Sequence, residues 1–348
     1  MMRFSSLLGP LRGLDLERAL HLRPRYPTAA LEVDRREMVL VRLRRRGRGK
    51  PELEVAEARP LPEQGAGSSI FRPNLGTPEE MASRLRKLLE ATGTKPGRLS
   101  LVLPDNLAKI SLVTLPERPS SVRRLDEVLR FKLRRAVPFR LEDAVLTHQV
   151  LPGEGTGVTV LVAVMLRAVV EQYERALEGA GVRPGLVDLC TPNLYNLCRP
   201  QMTAAAADGG DVGLLNVASG YFTLLIVRDE RLVFYRCKSY AAVDGEEDAG
   251  APVPPGPPAA LEALMARELT SSLSYWREKL GGQRLSRVLL RAVNGAATEV
   301  PPILESLGVG GVEPIDLSRG LNIPDGLRLA PAVAQRIAPA AGAAVGRV

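Results

Sequence analysis

Two stretches near the start of the chain alternate between apolar and polar residues. TAALEVDRREMVLVRLRR (28–45) predicts two short strands joined by a turn at Arg35 and Arg36, and KPELEVAEARPLP (50–62) predicts a third. Three strands in close succession read as an antiparallel meander. The period then lengthens. Met81, Leu85, Leu88 and Leu89 recur at three- and four-residue spacing after Thr77, Pro78, Glu79 and Glu80, a capped and acid-rich helix start. RLSLVLP (98–104) is a buried strand that ends at Pro104.

A compact β-α-β-β-α block follows. ISLVTLP (110–116) predicts a strand, and residues 121–136 a basic amphipathic helix with Val122, Leu125, Leu129 and Leu133 on one face. AVLTHQVL and VTVLVAVML are strands flanking the turn PGEGTG, and 168–180 is a helix with Val170, Tyr173 and Leu177 inward. Such an order folds as a small separate subdomain. RPGLVDL (183–189) returns to a strand. TPNLYNLC starts a helix with Thr191 as N-cap and Pro192 at its first position, and QMTAAAADGGD reads as a hinge or loop.

A second meander then repeats the first: VGLLNVAS, YFTLLIVRD and RLVFYRCKS. Two meanders, each opening its own segment, predict duplicated α/β lobes around a cleft. Residues 244–259, acidic and then Pro-rich, are expected to form a disordered or extended loop. Leu261, Met265, Leu269, Leu273, Trp276 and Leu280 mark a long helix. RVLLRAV (287–293) is a strand, PPILESLG a short helix and GVEPIDL a last strand. The closing Ala-rich helix contains Pro339, which is expected to kink or divide it.

Composition adds limits. The chain has 348 residues, enough for two domains, and 45% of them are apolar but only 4% aromatic, so the core is built from Leu, Val and Ala. The net charge of +8 is uneven: residues 1–59 carry 14 Arg and Lys against 8 Asp and Glu. This basic start is compatible with an anionic surface, although a high-GC genome that favours Arg is the plainer reading. Interleaved aromatics and a reading module are lacking, so nucleic acid is not an expected partner. Cys190, Cys198 and Cys237 have no paired ligand spacing, and with only His21 and His148 a zinc site is not expected. No apolar run reaches the roughly 20 residues that span a bilayer, and the start does not read as a signal peptide, so a cytoplasmic location is expected. No Ser-His-Asp, Cys-His or paired-carboxylate arrangement stands out.

Four segments carry a resemblance. EVLRFKLRRAVPFRLEDAVLTHQVL (127–151), with its helix, PF corner and Gln-Val strand end, resembles the PilM family, actin-like proteins related to the cell-division protein FtsA. ARELTSSLSYWREKLGG (266–282), VRPGLVDLCTPNLYNL (182–197) and LAPAVAQRIAPAAGAAVG (329–346) are similar to family segments in the same order. The resemblance implies an α/β, actin-like, two-lobed fold. Residues 1–27, basic and without a clean period, read as a flexible extension; the resemblance implies a first lobe from 28–105 and 169–204 and an inserted subdomain over 106–168. A second lobe would span 205–330, and a C-terminal helix, 331–348, would return to the first lobe. A GspL-like counterpart of type II secretion is not separated from PilM by these residues.

In that family nucleotide lies between the lobes, held by two hairpins. Where the first hairpin has Asp, Gly and small hydroxyl residues, this chain has Glu32, Asp34 and Arg35, and its turn lacks glycine. In the second, Asn216 stands for Asp and Ala218 for Gly, while Ser219 and Gly220 remain. The adenine-side turn is reduced to Asn294 and Gly295, and Glu268 stands where a nucleoside-facing charge is expected. Asn216 brings no negative charge for Mg²⁺. The expectation is therefore a non-catalytic scaffold without cofactor; an ATP- and Mg²⁺-dependent regulator is the alternative. The resemblance also implies a partner, the cytoplasmic N-terminal tail of a PilN-like membrane protein, with PilO-like and motor proteins contacted indirectly. Its groove is expected beside the basic helix and the AVPFRLED corner, using Arg123, Arg130, Arg134, Val137 and Phe139. A weak contact with anionic membrane and self-association remain open.

Overall fold

The computed structural model describes residues 26–45, 47, 49–62, 66–67, 69–95, 97–151, 157–239, 258–293, 296–327 and 329–346. The basic extension before Tyr26 and nearly all of the acidic, Pro-rich loop lie outside them. β1 (Ala29–Val33), β2 (Glu37–Arg44) and β3 (Glu52–Pro60) form the first meander. Its first turn needs no glycine, because Asp34 Oδ1 accepts the backbone N–H groups of Arg36 at 2.7 Å and Glu37 at 2.8 Å. α1 (Pro78–Ala91) begins as its sequence predicts, with Thr77 accepting from the Glu80 N–H. β4 (Arg98–Leu103) then runs parallel to β1.

The chain next leaves this lobe. β5 (Lys109–Leu115), α2 (Val122–Leu133), β6 (Ala144–Val150) and β7 (Val158–Leu166) make a three-stranded antiparallel sheet, order β5-β7-β6, with α2 on one face. Leu125, Leu129 and Leu133 bury against Val160, Val162 and Val164. Val122 does not join them: it stands in the first turn of α2 and is 63% exposed. α3 (Arg167–Gly179), the last element of the β-α-β-β-α run, packs back on the first lobe through Val169, Tyr173 and Leu177. β8 (Arg183–Leu189) completes the first sheet, order β3-β2-β1-β4-β8.

α4 (Cys190–Ala206) follows without a break. The expected Thr191 cap is corrected by the structure. Thr191 lies inside the helix, and the carboxylate of Asp105 accepts its backbone N–H at 3.0 Å. The expected hinge after Gln201 is likewise mostly helix, which ends in a turn at Gly209 and Gly210. β9 (Asp211–Ala218), β10 (Tyr221–Arg228) and β11 (Arg231–Ser239) form the second meander. α5 (Pro258–Leu280), β12 (Leu285–Ala292), α6 (Ala296–Ser306) and β13 (Val312–Pro314) complete the lobe. Its sheet order is β11-β10-β9-β12-β13, the same pattern as the first.

α7 (Pro331–Val345) runs back between the lobes. Ala30, Val39 and Val41 of the first sheet, Val212, Leu214 and Leu289 of the second, and α4 and α7 share one core. The alanines of α7 permit close approach. At Gly342 a Cβ would lie 2.1 Å from the Asn193 carbonyl oxygen, so the α4–α7 crossing admits no side chain there. Of the two outcomes expected for Pro339, a kink or a division, the structure excludes division: the helix is continuous through it. A proline cannot donate to the carbonyl four residues earlier, and Arg291 Nε donates to that Gln335 carbonyl instead, at 3.0 Å.

Candidate functional site

Strand alternation places polar residues at one end of the shared core. Ala30 and Glu32 lie on the same face of β1; Leu214 and Asn216 on the same face of β9; Leu289 and Arg291 on the same face of β12. β1 is parallel to β4, and β9 to β12, so these polar positions gather at carboxyl ends of parallel strands. Open α/β sheets build their binding sites there.

Arg291 is the centre of the site and is 2% exposed. Its Nη2 lies 3.5 Å from Glu32 Oε1, its Nη1 donates to Asn216 Oδ1 at 3.1 Å, and its Nε donates to Gln335 O. Asn216 Nδ2 donates to Thr191 Oγ1 at 3.0 Å. Thr191 in turn donates its hydroxyl and its backbone N–H to Asp105, which also accepts from Thr223 Oγ1 at 2.8 Å. The Cys190 thiol reaches Glu32 Oε1 at 3.5 Å. One continuous buried network thus links β1, α4 and α7 to β9, β10 and β12.

Burial governs the protonation of this network. It pushes the Glu32 carboxyl up to about 8, against the pull of the Arg291 charge. It also raises Asp105, opposed by the hydrogen bonds from Thr191 and Thr223, and raises the Cys190 thiol well above its ordinary range.

A nucleotide with Mg²⁺, which the resemblance implies, needs free carboxylate or amide groups and closely approachable turns. These residues do not fit that need. A guanidinium takes the position beside Glu32 and Asn216, and Asp105 is occupied by Thr191 and Thr223. Asp34 Oδ1 is held by its own turn, with Arg35 half-buried and Arg36 exposed beside it. No group of three or more His, Cys, Asp or Glu residues is placed to hold a metal among the described residues.

The structure brings Glu32 and Asn216 together through Arg291. Ser219 and Gly220 form the turn after β9, where Gly220 has φ 93°. Glu268 does not join the network: it faces Arg236 at 3.2 Å and Lys238 at 3.3 Å and ties α5 to β11. Asn294 and Gly295 lie outside the described residues. Sequence reasoning missed Arg291, Asp105, Thr191 and Thr223 as members. Only Arg291 left a signal, the charge that interrupts the apolar run VLLRAV (288–293).

The residues assigned to the partner groove divide as well. Val137 is buried in the subdomain core, and Phe139, the expected anchor, packs half-buried against it. Arg130 is not free either: it pairs with Asp126 at 2.8 Å and donates to the Leu141 carbonyl at 3.1 Å, clasping the corner to α2. Arg123 is exposed and shares Glu127 with Arg124. Arg134 is exposed, and β6 is an edge strand that pairs with β7 alone among the described residues.

No protein-family profile matches the sequence. No match is found among the curated proteins. Solved structures do match. A chain of the PilM-PilN type IV pilus biogenesis complex is 20% identical, with a TM-score of 0.69 over 93% of this chain and 98% of that one. A Bacteroides thetaiotaomicron protein, described as having an actin-like ATPase fold and unknown function, is 6% identical, with a TM-score of 0.50 over 89% and 96%. With its repeated sheets, its shared core and these likenesses, the chain has the actin-like fold, in a form similar to that in the PilM-PilN type IV pilus biogenesis complex.

Proposed function

We propose that this protein is a non-catalytic scaffold of a type IV pilus inner-membrane complex, and that it binds the cytoplasmic N-terminal tail of a PilN-like membrane protein. The observation that carries the reading is the near full-length likeness to a chain of the PilM-PilN complex. Local geometry supports the place of binding. The edge of β6, which pairs with β7 alone among the described residues, can take an extended peptide as a further strand, and exposed Arg123 lies on α2 with exposed Arg134 just past its end. No helix among the described residues is long and apolar enough to cross a membrane. In this reading the partner tethers the chain to the cytoplasmic face of the membrane.

The non-catalytic part rests on the Arg291 network. A guanidinium set between Glu32 and Asn216 repels a divalent cation and occupies the polar groups that would organise it. Purified protein is expected to release no phosphate from ATP and Mg²⁺ above background. Turnover that Asn216→Ala abolishes would reverse this assignment to the ATP-dependent alternative.

The partner is tested by titrating the cytoplasmic tail peptide of a PilN-like protein from the same organism. Saturable binding is expected. Arg123→Glu with Arg134→Glu should weaken it about tenfold, at roughly 1 kcal/mol or less per surface charge pair. Both side chains are exposed, so the circular dichroism spectrum should not change. Unaltered affinity in the double variant, or protection from exchange confined to the second lobe, would place the peptide elsewhere.

A further inference from the structure

α2 carries a second exposed feature, distinct from the β6 edge. Phe131 is 81% exposed, the most exposed of the large apolar side chains among the described residues. At 100° per residue it lies on the side of α2 opposite Leu129, and so away from the subdomain core. Its neighbours in sequence are basic. Lys132, Arg134 and Arg135 are exposed, and none has an acidic partner among the described residues. The other cations of this helix have acidic partners: Arg123 and Arg124 share Glu127, and Arg130 faces Asp126. Three cations without an acidic partner among the described residues thus lie in the last turn of α2 and just beyond it, around a single aromatic ring.

We propose that this tip of α2, Phe131 with Lys132 and Arg135, docks directly on an anionic lipid bilayer. A planar negative surface satisfies both halves of the feature. The ring enters the boundary between headgroups and acyl chains, and the cations face lipid phosphates. Charge complementarity selects this occupant over an apolar protein surface, which would leave Lys132 and Arg135 unpaired. Single-stranded nucleic acid is less well matched, because stacking uses aromatics in series and this tip presents one. The inference does not require the peptide reading. Docking of the purified chain needs no partner, and its residues differ from Arg123 and Arg134, so the two readings fail separately.

The test is co-sedimentation of the full chain with two sets of vesicles, phosphatidylcholine mixed with phosphatidylglycerol and phosphatidylcholine alone. Binding to the mixed vesicles and little to the neutral ones is expected. Lys132→Ala with Arg135→Ala should reduce the partition coefficient about 30-fold, taking about 1 kcal/mol per basic side chain near an anionic surface. Phe131→Ser should lower it about tenfold or more, the scale of losing one aromatic from an apolar environment. Phe131→Trp supplies a local probe, since Trp276 is fully buried, and its emission should shift to the blue on mixed vesicles. Equal binding to both vesicles, or an unshifted probe, overturns the proposal. Retained affinity in the double alanine variant overturns it too, by assigning attachment to other basic residues. So does loss of duplex DNA binding in that variant without vesicle binding by the parent.

Discussion

Arg291→Met is expected to lower the stability of the fold by about 2–4 kcal/mol, the scale of leaving several buried acceptors without their donor. Met keeps much of the volume but offers no donor. Asn216 Oδ1, Gln335 O and Glu32 Oε1 each lose a contact from the guanidinium, and all belong to the buried network. The loss is not confined to one lobe. Arg291 stands on β12, whereas Glu32 is on β1 and Gln335 on α7, so the same side chain fastens the second lobe to the first. The denaturant midpoint should fall, and amide exchange should quicken in β1, β9 and α7. Adding Glu32→Leu to Arg291→Met should recover about 1 kcal/mol or more, because it removes the acid left behind. If the two losses simply add, Glu32 and Arg291 do not act as a pair.

Stability is also expected to fall as the pH rises from about 5 to 8, and Glu32 is the main cause. The ordinary carboxyl titrates at 4.5, whereas burial holds Glu32 near 8. Between those values the unfolded chain has released a proton that the folded chain still binds. Raising the pH therefore favours unfolding, by up to about 1.4 kcal/mol per pH unit for one proton. The contribution is fully present below the unfolded value and is lost by the time the pH passes the folded one. Glu37 and Asp105 are raised in the same direction, chiefly by burial, and add to the slope. Glu32→Gln keeps the shape and removes one titration. Urea midpoints of parent and variant should diverge as the pH is raised, with the variant falling less. Parallel curves across this range would show that Glu32 is not protonated in the fold.

Much of the architecture was legible because it is written in short-range periods. Alternation at 28–45 and 212–239 located both meanders, and their repetition announced the two lobes. Thr77, Pro78 and the following acids marked the start of α1, since a cap needs only residues within one turn. The glycine-free first hairpin was legible as a departure, although its remedy, Asp34 bonding the N–H groups of Arg36 and Glu37, needed coordinates.

Where sequence reasoning erred, a distant group had replaced a local one. Thr191 matched a cap, but Asp105, far along the chain, accepts its backbone N–H. Pro339 allowed a kink or a break; the helix does not break, and Arg291 supplies the donor that the Gln335 carbonyl loses to the proline. Val137 matched a groove residue, yet the three-stranded sheet and α2 leave an apolar space that it fills, with Phe139 half-buried beside it. The sequence by itself determined which segments become strands and helices, because side-chain period and backbone preference act over a few residues. The tertiary structure alone decided that Glu32, Asn216 and Arg291 meet. A buried charge is tolerated only beside its partners, and Glu32 and Arg291 lie on strands of different lobes that no spacing along the chain relates.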